Sequence, residues 1–549
     1  MEKYEEWLAV VKNENGQLYE ELVSIAESED EIRDRFYCDL TFGTGGLRGK
    51  LGAGTNRVNV FVVARASRGL AHYIKENGSG TPAVAIAYDS RHMSREFARL
   101  AADVMSEYGI TAYLFDRLMP TPVLSFAVRY LKCSAGIVIT ASHNPKEYNG
   151  YKVYNERGCQ ITDEAAKNIL EKIEESDYFA PVRADESGIR ILDDGVLNAF
   201  YDTIATYVSS GTEGLSALKI VYTPLNGTGN LPVRHILRRM GIDDITVVPE
   251  QELPDGDFPT CPYPNPEERA TLDLAVKLAV QKNADLILAT DPDADRIGVA
   301  VKVIAGDYRL LNGNETGVLL EEYILSKRKR EGTLPRTGGV VVKTVVTSDM
   351  CRDIAKTFGV KTKEVLTEFK YIGETIDSLA RDEEYLFGME ESYGHLVGTH
   401  ARDKDAVSAA AMIAEMAAHC RTQGKTLWDR LCELFGTYGY YKTALVSLAF
   451  PGERGKAEMD EAVATLRKAP PNALCGRCVS ATDYLSGVGG LPKSNVLAFA
   501  GDDVKVTVRP SGTEPKLKIY YQVKAADDGS ASRLLSEHIE QVEKRFARG

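Results

Sequence analysis

From residue 58 to 140, apolar and polar positions switch repeatedly between helical and strand spacing. A helix is predicted over about 61–76, then the apolar strand Val84-Ala-Ile-Ala-Tyr88, which ends in Asp89-Ser-Arg91. A second helix over about 92–108 stops at Gly109, and the strand Ile110–Phe115 follows. Thr121 as N-cap and Pro122 at the first helical position start another helix. The strand Gly136–Thr140 closes the block. Alternating elements with near-continuous apolar strands predict a mostly parallel sheet covered by helices on both faces.

The same grammar recurs twice, without any residue-level repeat. Leu218–Tyr222, a helix near 231–240, Ile245–Val248, a helix over 266–281 and Asp285–Ala289 form a second block. Gly339–Val346, a helix over 348–358, Val360–Val365, a helix over 370–380 and Tyr385–Gly388 form a third. In such sheets ligands bind beyond the carboxyl ends of strands. Each block ends one strand in a polar motif: Thr140-Ala-Ser-His-Asn-Pro145, Asp291-Pro-Asp-Ala-Asp295 and Met389-Glu-Glu-Ser392.

After about residue 437 the pattern changes. Thr443–Phe450, Val496–Ala500, Val504–Val508 and Lys516–Val523 read as strands, with helices only near 454–468 and 529–546. Residues 1–36 read as acidic helices. The expected organisation is α/β: three consecutive mixed or parallel-sheet α/β domains and a C-terminal α+β domain with an antiparallel sheet, around a central cleft. The expected boundaries are 1–203, 204–310, 311–436 and 437–549.

Composition narrows the function classes. The 549 residues are 44% hydrophobic and 26% charged, ordinary for a soluble globular chain. A net charge of −13 argues against a nucleic-acid binder but leaves room for an anionic small substrate held by local Arg and Lys. No apolar run approaches the roughly 18 residues of a membrane helix. The charged, amphipathic start Met1–Trp7 is unlike a secretory signal, so a cytoplasmic protein without membrane association is expected. Nothing in the chain chooses between monomer and dimer. Nine scattered cysteines give no disulfide framework, and Cys475 and Cys478 form one C-x-x-C without the second pair that a zinc site requires.

Four segments carry candidate chemistry. Thr41-Phe-Gly-Thr-Gly-Gly-Leu-Arg-Gly49 is either an anion-cradling loop with Arg48 as a charged fork or a plain flexible turn. Asp291, Asp293 and Asp295 directly follow an apolar strand, where alternation would turn all three carboxylates to one side. Three such charges ionise together only around a cation, and hard oxygen ligands favour Mg²⁺. An EF-hand fails, because its sixth and twelfth positions would be Arg296 and Lys302. A solvated acidic turn remains possible, as does an aspartyl-nucleophile phosphatase that would also use Gly501-Asp502-Asp503. The phosphatase would leave Ser142, Arg509 and the Gly-rich loop without a role.

Ser142 lies at the end of the strand within Ile137–Pro145, with His143 as its immediate neighbour. It has no G-x-S-x-G context, so a hydrolase triad is unsupported. A phosphoserine fits better, offering an oxygen to a metal held by the aspartates, since phosphoryl transfer needs positioning and charge neutralisation. Arg509-Pro-Ser-Gly-Thr-Glu-Pro515, between two strands, is a further anion candidate.

These motifs, in this order and together with Gly388-Met-Glu-Glu-Ser392, resemble the α-D-phosphohexomutase superfamily over most of the chain. Within it, the resemblance is to the phosphoglucomutase branch with its phosphopentomutase relatives. It implies that Ser142 is the phosphoserine and, with Asp291, Asp293 and Asp295, a Mg²⁺ ligand. Lys152 falls at the family's general acid/base position, and Arg48, His143 and Arg296 at its charge stabilisers. Glu390 and Ser392 match the sugar-binding loop, and Lys404 matches a substrate-contacting lysine of glucose-preferring relatives. Arg509, Ser511, Gly512, Thr513 and Lys518 match the loop that grips the non-reacting phosphate.

The implied activity is that of an isomerase. It interconverts α-D-glucose 1-phosphate and D-glucose 6-phosphate through a glucose 1,6-bisphosphate intermediate that also acts as activator, with sugar phosphates as its partners. Mannose or pentose phosphates, a metal-dependent sugar-phosphate phosphatase and a catalytically dead sensor are the alternatives. The chain departs from the family pattern at Gly45, often Ser, at Glu368, often Gly, and at Asn226, often His.

Overall fold

The computed structural model describes residues 1–546 except 79, 210, 212, 304–306, 451–453 and 512–515, and for 545 and 546 the backbone alone. The chain divides into two compact units. The first comprises Met1–Asn312, Ile372–Ser378 and Ser392–Thr426; the second comprises Gly313–Tyr371, Leu379–Glu391 and Leu427–Gly549.

The first unit holds two sheets built on one plan. In the first sheet, strands β1 (Leu47–Lys50), β2 (Ala83–Tyr88), β3 (Thr111–Phe115), β4 (Ala135–Ile139), β5 (Tyr148–Asn155) and β6 (Ile189–Leu192) lie in the order β1-β5-β4-β2-β3-β6. The strands β4, β2, β3 and β6 are parallel, while β5 and β1 are added antiparallel. The second sheet contains β7 (Ile220–Thr223), β8 (Ile245–Val247), β9 (Leu286–Thr290), β10 (Ile297–Lys302) and β11 (Tyr308–Leu311), ordered β11-β10-β9-β7-β8. Again β9, β7 and β8 are parallel, and β10 and β11 are antiparallel additions.

The expected mixed or parallel sheets are therefore observed, parallel at each centre with strands added antiparallel at one edge. The reason is connection length. Residues 140–147 join β4 to β5, and residues 291–296 join β9 to β10. Neither stretch reaches the dozen or so residues that a parallel crossover needs, so each chain turns back beside the strand it left. The serine motif and the aspartate motif occupy these two tight returns.

The N-terminal helices Glu2–Glu14, Gly16–Ser24 and Glu29–Phe36 form as expected, and their acidic surface hides an aromatic anchor. Trp7 is 1% exposed and meets Phe36, Phe61, Tyr178 and Phe179 edge-on at 5.4–5.9 Å between ring centroids. The helix expected over 266–281 starts later, at Asp273, after a 3₁₀ turn over Arg269–Leu272.

In the second unit β12 (Gly339–Thr344), β13 (Lys361–Val365) and β14 (Glu384–Glu390) are parallel, with β12 central. The strand β15 (Gly394–Val397) belongs to the first unit. The C-terminal region, β16 (Tyr440–Ala449) onward, includes a two-stranded hairpin of β17 (Ala473–Leu474) and β18 (Arg477–Cys478). Cys475 and Cys478 sit in this hairpin as free thiols. The strands β19 (Ser480–Asp483), β20 (Leu497–Ala500), β21 (Val504–Pro510) and β22 (Lys516–Ala525) complete an antiparallel sheet of order β16-β22-β21-β20-β19. Two long helices, Gly313–Arg330 and Ala406–Thr422, carry no amphipathic signature because most of their residues are buried all round. Among the described residues no helix is long and apolar enough to cross a membrane.

Trp7→Ala is expected to cost the first unit about 3 kcal/mol or more, in the range for a buried aromatic truncation. Urea unfolding checks this; an unchanged midpoint would make the N-terminal helices an appendage rather than part of the core.

Candidate active site

Ser142 is held in an unfavourable backbone conformation by a buried network. Its φ is 51°, in the left-handed region that few non-glycine residues adopt. The Ser142 amide donates to Thr140 Oγ1 at 2.8 Å, and that hydroxyl donates to Asp89 Oδ2 at 2.6 Å. Arg91 holds the turn by its carbonyls. Its Nη2 donates to Ser142 O at 2.6 Å and to Asn144 O, and its Nη1 to Pro145 O and Tyr148 O at 2.8 and 3.1 Å. Asp89 also accepts from the Arg91 amide at 2.9 Å and from Ser94 at 2.7 Å. The tripeptide Asp89-Ser-Arg91 was visible in the sequence as a polar end to a buried strand; only the fold shows that it secures the serine turn.

The aspartates converge, though by a different route from strand alternation. Residues 291–295 form a turn with Ala294 at φ 49°, and the three buried carboxylates present ligand atoms within 4.8 Å of one another. Asp291 Oδ1 accepts the amides of Asp295 and Arg296 at 3.1 and 3.0 Å, and its Oδ2 accepts the Ser142 hydroxyl at 2.7 Å. Asp293 Oδ2 accepts from Thr121 Oγ1 at 2.8 Å and from Lys152 Nζ at 2.7 Å. Thr121 was expected to cap its helix; its hydroxyl serves Asp293 instead, and the N-cap is Pro120 without a side-chain bond.

A second loop supports this turn from below. The Thr228 amide donates to Pro292 O at 2.8 Å, and a Cβ on Gly227 would lie 2.4 Å from Pro292 Cα, so only glycine permits the approach. Asn226, at φ 57°, directs its amide to Leu253 O at 2.8 Å.

Charge compensation around the triad is uneven. Burial and the neighbouring Asp293 and Asp295 push the Asp291 carboxyl well above the usual range. Burial also acts against Asp293, but the Lys152 ammonium and its hydrogen bond outweigh it and hold that carboxyl low. Lys152 is correspondingly raised, because Asp293 and Asp295 overcome its burial. Lys404 Nζ lies 3.1 Å from both Asp295 Oδ2 and Asp403 Oδ1. Asp403 in turn accepts from Tyr154 at 2.7 Å and Gln160 at 3.2 Å.

Asp293 Oδ1 and Asp295 Oδ1 are buried without a hydrogen-bond partner among the described residues. Two orphaned oxygens in a buried all-carboxylate cluster fit a hard divalent cation such as Mg²⁺.

The remaining expected residues fall as follows. His143 Nδ1 is 3.2 Å from Ser142 Oγ, and burial together with the charges of Arg296 and Arg48 keeps the ring neutral. Arg48 is exposed and donates to Asn144 Oδ1 at 2.8 Å. The Gly-rich loop is partly tied into the sheet. Gly43 and Gly46 exchange amide hydrogen bonds at 2.8 Å, and Leu47–Lys50 pairs with β5, which removes those two amides from anion binding. Arg296 binds Glu267 at 2.5 Å and lies 4.0 Å from Asp295. Ser392 precedes Tyr393, whose carbonyl accepts the Ile297 amide at 3.1 Å, so it lies beside the end of the aspartate turn.

The second unit carries the rest. Glu390 ends β14 and is buried. Arg509 and Lys518 face each other across β21 and β22, and the Ser511 amide donates to Lys516 O at 2.8 Å. Gly512 and Thr513 lie outside the described residues.

Known proteins match this arrangement along the chain. Models for the phosphoglucomutase/phosphomannomutase alpha/beta/alpha domains I, II and III match residues 39–179, 198–305 and 312–438, and the C-terminal domain model matches 452–540. A phosphoglucomutase from Staphylococcus epidermidis is 35% identical over 512 residues, covering 90% of this chain and 92% of its own. One from Staphylococcus aureus (strain MRSA252) is 37% identical over 520 residues, covering 91% and 92%. The solved structure of a phosphoglucomutase/phosphomannomutase family protein from Burkholderia thailandensis shares the fold, with a TM-score of 0.70 at 17% identity over 92% of this chain and 98% of that one.

Asp293→Asn is expected to abolish Mg²⁺ binding measured by isothermal titration calorimetry. Wild-type affinity in that variant would place the cation elsewhere.

Proposed function

The chain belongs to the phosphoglucomutase/phosphomannomutase family, and from that membership we propose that it interconverts α-D-glucose 1-phosphate and D-glucose 6-phosphate, with Ser142 as the phosphoryl carrier. The observation that carries this assignment is the Ser142 hydroxyl 2.7 Å from Asp291, on a constrained turn beside a buried carboxylate triad. The name phosphoglucomutase, borne by relatives 35–37% identical over nine-tenths of the chain, favours glucose over mannose or pentose phosphates.

In the first half-reaction the free hydroxyl of a hexose monophosphate attacks the phosphorus on Ser142. The new P–O bond forms as the P–Oγ bond breaks, and the proton lost by the sugar ends on Ser142 Oγ. The product is glucose 1,6-bisphosphate. After it turns end for end, Ser142 Oγ attacks its other phosphorus and regenerates the phosphoenzyme. Asp291, Asp293, Asp295 and Ser142 would hold Mg²⁺, which would supply positive charge to the transferring group.

Lys152 is the candidate to accept and return the sugar proton at Nζ. Burial, Lys404 and Arg48 favour its neutral form, while Asp293 and Asp295 oppose it. The neutral amine therefore requires those two carboxylates to be engaged elsewhere. His143, uncharged beside Ser142 Oγ, is suited to a hydrogen bond rather than to charge stabilisation, a role left to Arg48 and Arg296. Glu390, Ser392 and Lys404 are assigned to the sugar. Arg509, Ser511, Gly512, Thr513 and Lys518 are assigned to the non-reacting phosphate, where several donors can hold either end of the bisphosphate.

Intact-mass analysis after incubation with glucose 1,6-bisphosphate is expected to show one added phosphoryl group, mapped to Ser142 and missing in Ser142→Ala. That variant should lose mutase turnover; undiminished turnover would overturn the carrier assignment. Among glucose 1-phosphate, mannose 1-phosphate and ribose 1-phosphate, kcat/KM is expected to be highest for the first.

A further inference from the structure

Arg509 already holds an anion. Its Nη2 donates to Glu368 Oε1 at 3.2 Å, while Glu368 Oε2 lies 3.3 Å from Lys370 Nζ. One carboxylate thus spans an arginine on β21 and a lysine at the start of the helix Lys370–Asp377, with one oxygen on each cation. A phosphate oxygen pair would make the same two contacts.

The backbone beneath this carboxylate is unusual. Glu368 has φ 104°, whereas every other non-glycine residue with positive φ among the described residues lies between 44° and 65°. Those others occupy the left-handed helical region, which a side chain tolerates; Glu368 lies beyond it, where glycine is the residue at ease. An outlier of this kind persists only where its surroundings overdetermine it, and such strain clusters at functional sites.

The pair is also open to exchange. The Glu368 side chain is 41% exposed and that of Arg509 29%, so their ion pair is weak, while Lys370, 3% exposed, forms the buried end of the site. A phosphate dianion brings twice the charge of a carboxylate and more acceptor oxygens, so it outcompetes Glu368 where a monoanion does not.

We propose that Glu368 is a resident counter-ion of the phosphate grip, occupying the anion place between Arg509 and Lys370 until the dianionic phosphate of the substrate displaces it. The proposal rests on the assignment of Arg509 to the non-reacting phosphate. It makes Glu368 a specificity-determining residue: each phosphate enters against a built-in competitor, which weakens binding of every anion and excludes singly charged ones most. A residue that merely oriented Arg509 for substrate would have the opposite effect when removed.

The test uses Glu368→Gln, which keeps the shape and removes the charge, and Glu368→Gly, which also suits the backbone at φ 104°. Two constants are read on phosphorylated enzyme: KM for glucose 1-phosphate and Ki for inorganic phosphate as competitive inhibitor. Both variants are expected to lower both constants by about two- to fivefold, the scale of one exposed ion pair. If either variant leaves the constants unchanged or raises them while Arg509→Ala raises both, the resident counter-ion is refuted and the phosphate grip stands. If Arg509→Ala leaves both constants at wild-type values, the grip itself is misplaced and the proposal falls with it.

Discussion

Three carboxylates buried in one five-residue turn are the constraint around which the first unit is built. At separations within 4.8 Å, and with an effective dielectric near 20, each ionised pair repels by about 3.5 kcal/mol or more, so full ionisation would oppose folding by roughly 10 kcal/mol. That is comparable with the whole stability of a domain. The fold answers with Lys152 on Asp293, Lys404 on Asp295, and Asp291 pushed toward its protonated form beside the Ser142 hydroxyl. The elements carrying these groups start far apart in sequence, and the triad gives each a reason to meet the others.

The means of delivery is the same twice. In each sheet of the first unit a buried parallel strand ends, a short polar turn follows, and the chain returns antiparallel beside it. A tight return fixes the turn at both ends, which a long crossover would not do. The Ser142 turn needs this, since its left-handed serine is stable only where the surroundings overdetermine it. Arg91, 3% exposed, fills its fork with four carbonyls of that turn and its approach to β5, leaving the turn little freedom to relax.

Much of this was legible in the sequence. The apolar strands, their polar ends and the change of grammar near residue 437 all follow from periodicity and turn chemistry, and the motif-bearing turns lie where those signals put them. The return strands were not legible, because Ile297–Lys302 is as continuously apolar as the parallel strands and its direction depends on connection length. The helices Gly313–Arg330 and Ala406–Thr422 were hidden by burial on all sides. Thr121 looked like a cap because local sequence cannot show a partner 172 residues away. The Gly-rich loop offered amides on paper, but Gly43 and Gly46 use two of them on each other.

Four of the cations assigned to substrate or to the transferring group are paired with carboxylates, whereas Arg48 donates to the Asn144 side-chain amide. Lys152 is bound to Asp293, Lys404 to Asp295 and Asp403, Arg296 to Glu267, and Arg509 to Glu368. Burying or half-burying a cation without a counter-charge is costly, so a protein that binds dianions must supply carboxylates for the intervals when no dianion is present. Where the carboxylate is also placed to ligate a cation, as with Asp293 and Asp295, its lysine would be released when a cation bound. Where it does not, as with Glu368, the substrate itself must compete for the cation. The two kinds of partner would thus set different terms for reaching the same chemistry: one would couple lysine release to a metal, the other couples arginine release to the phosphate. A chain of net charge −13 keeps sites for anions by holding its positive charge in exchangeable pairs.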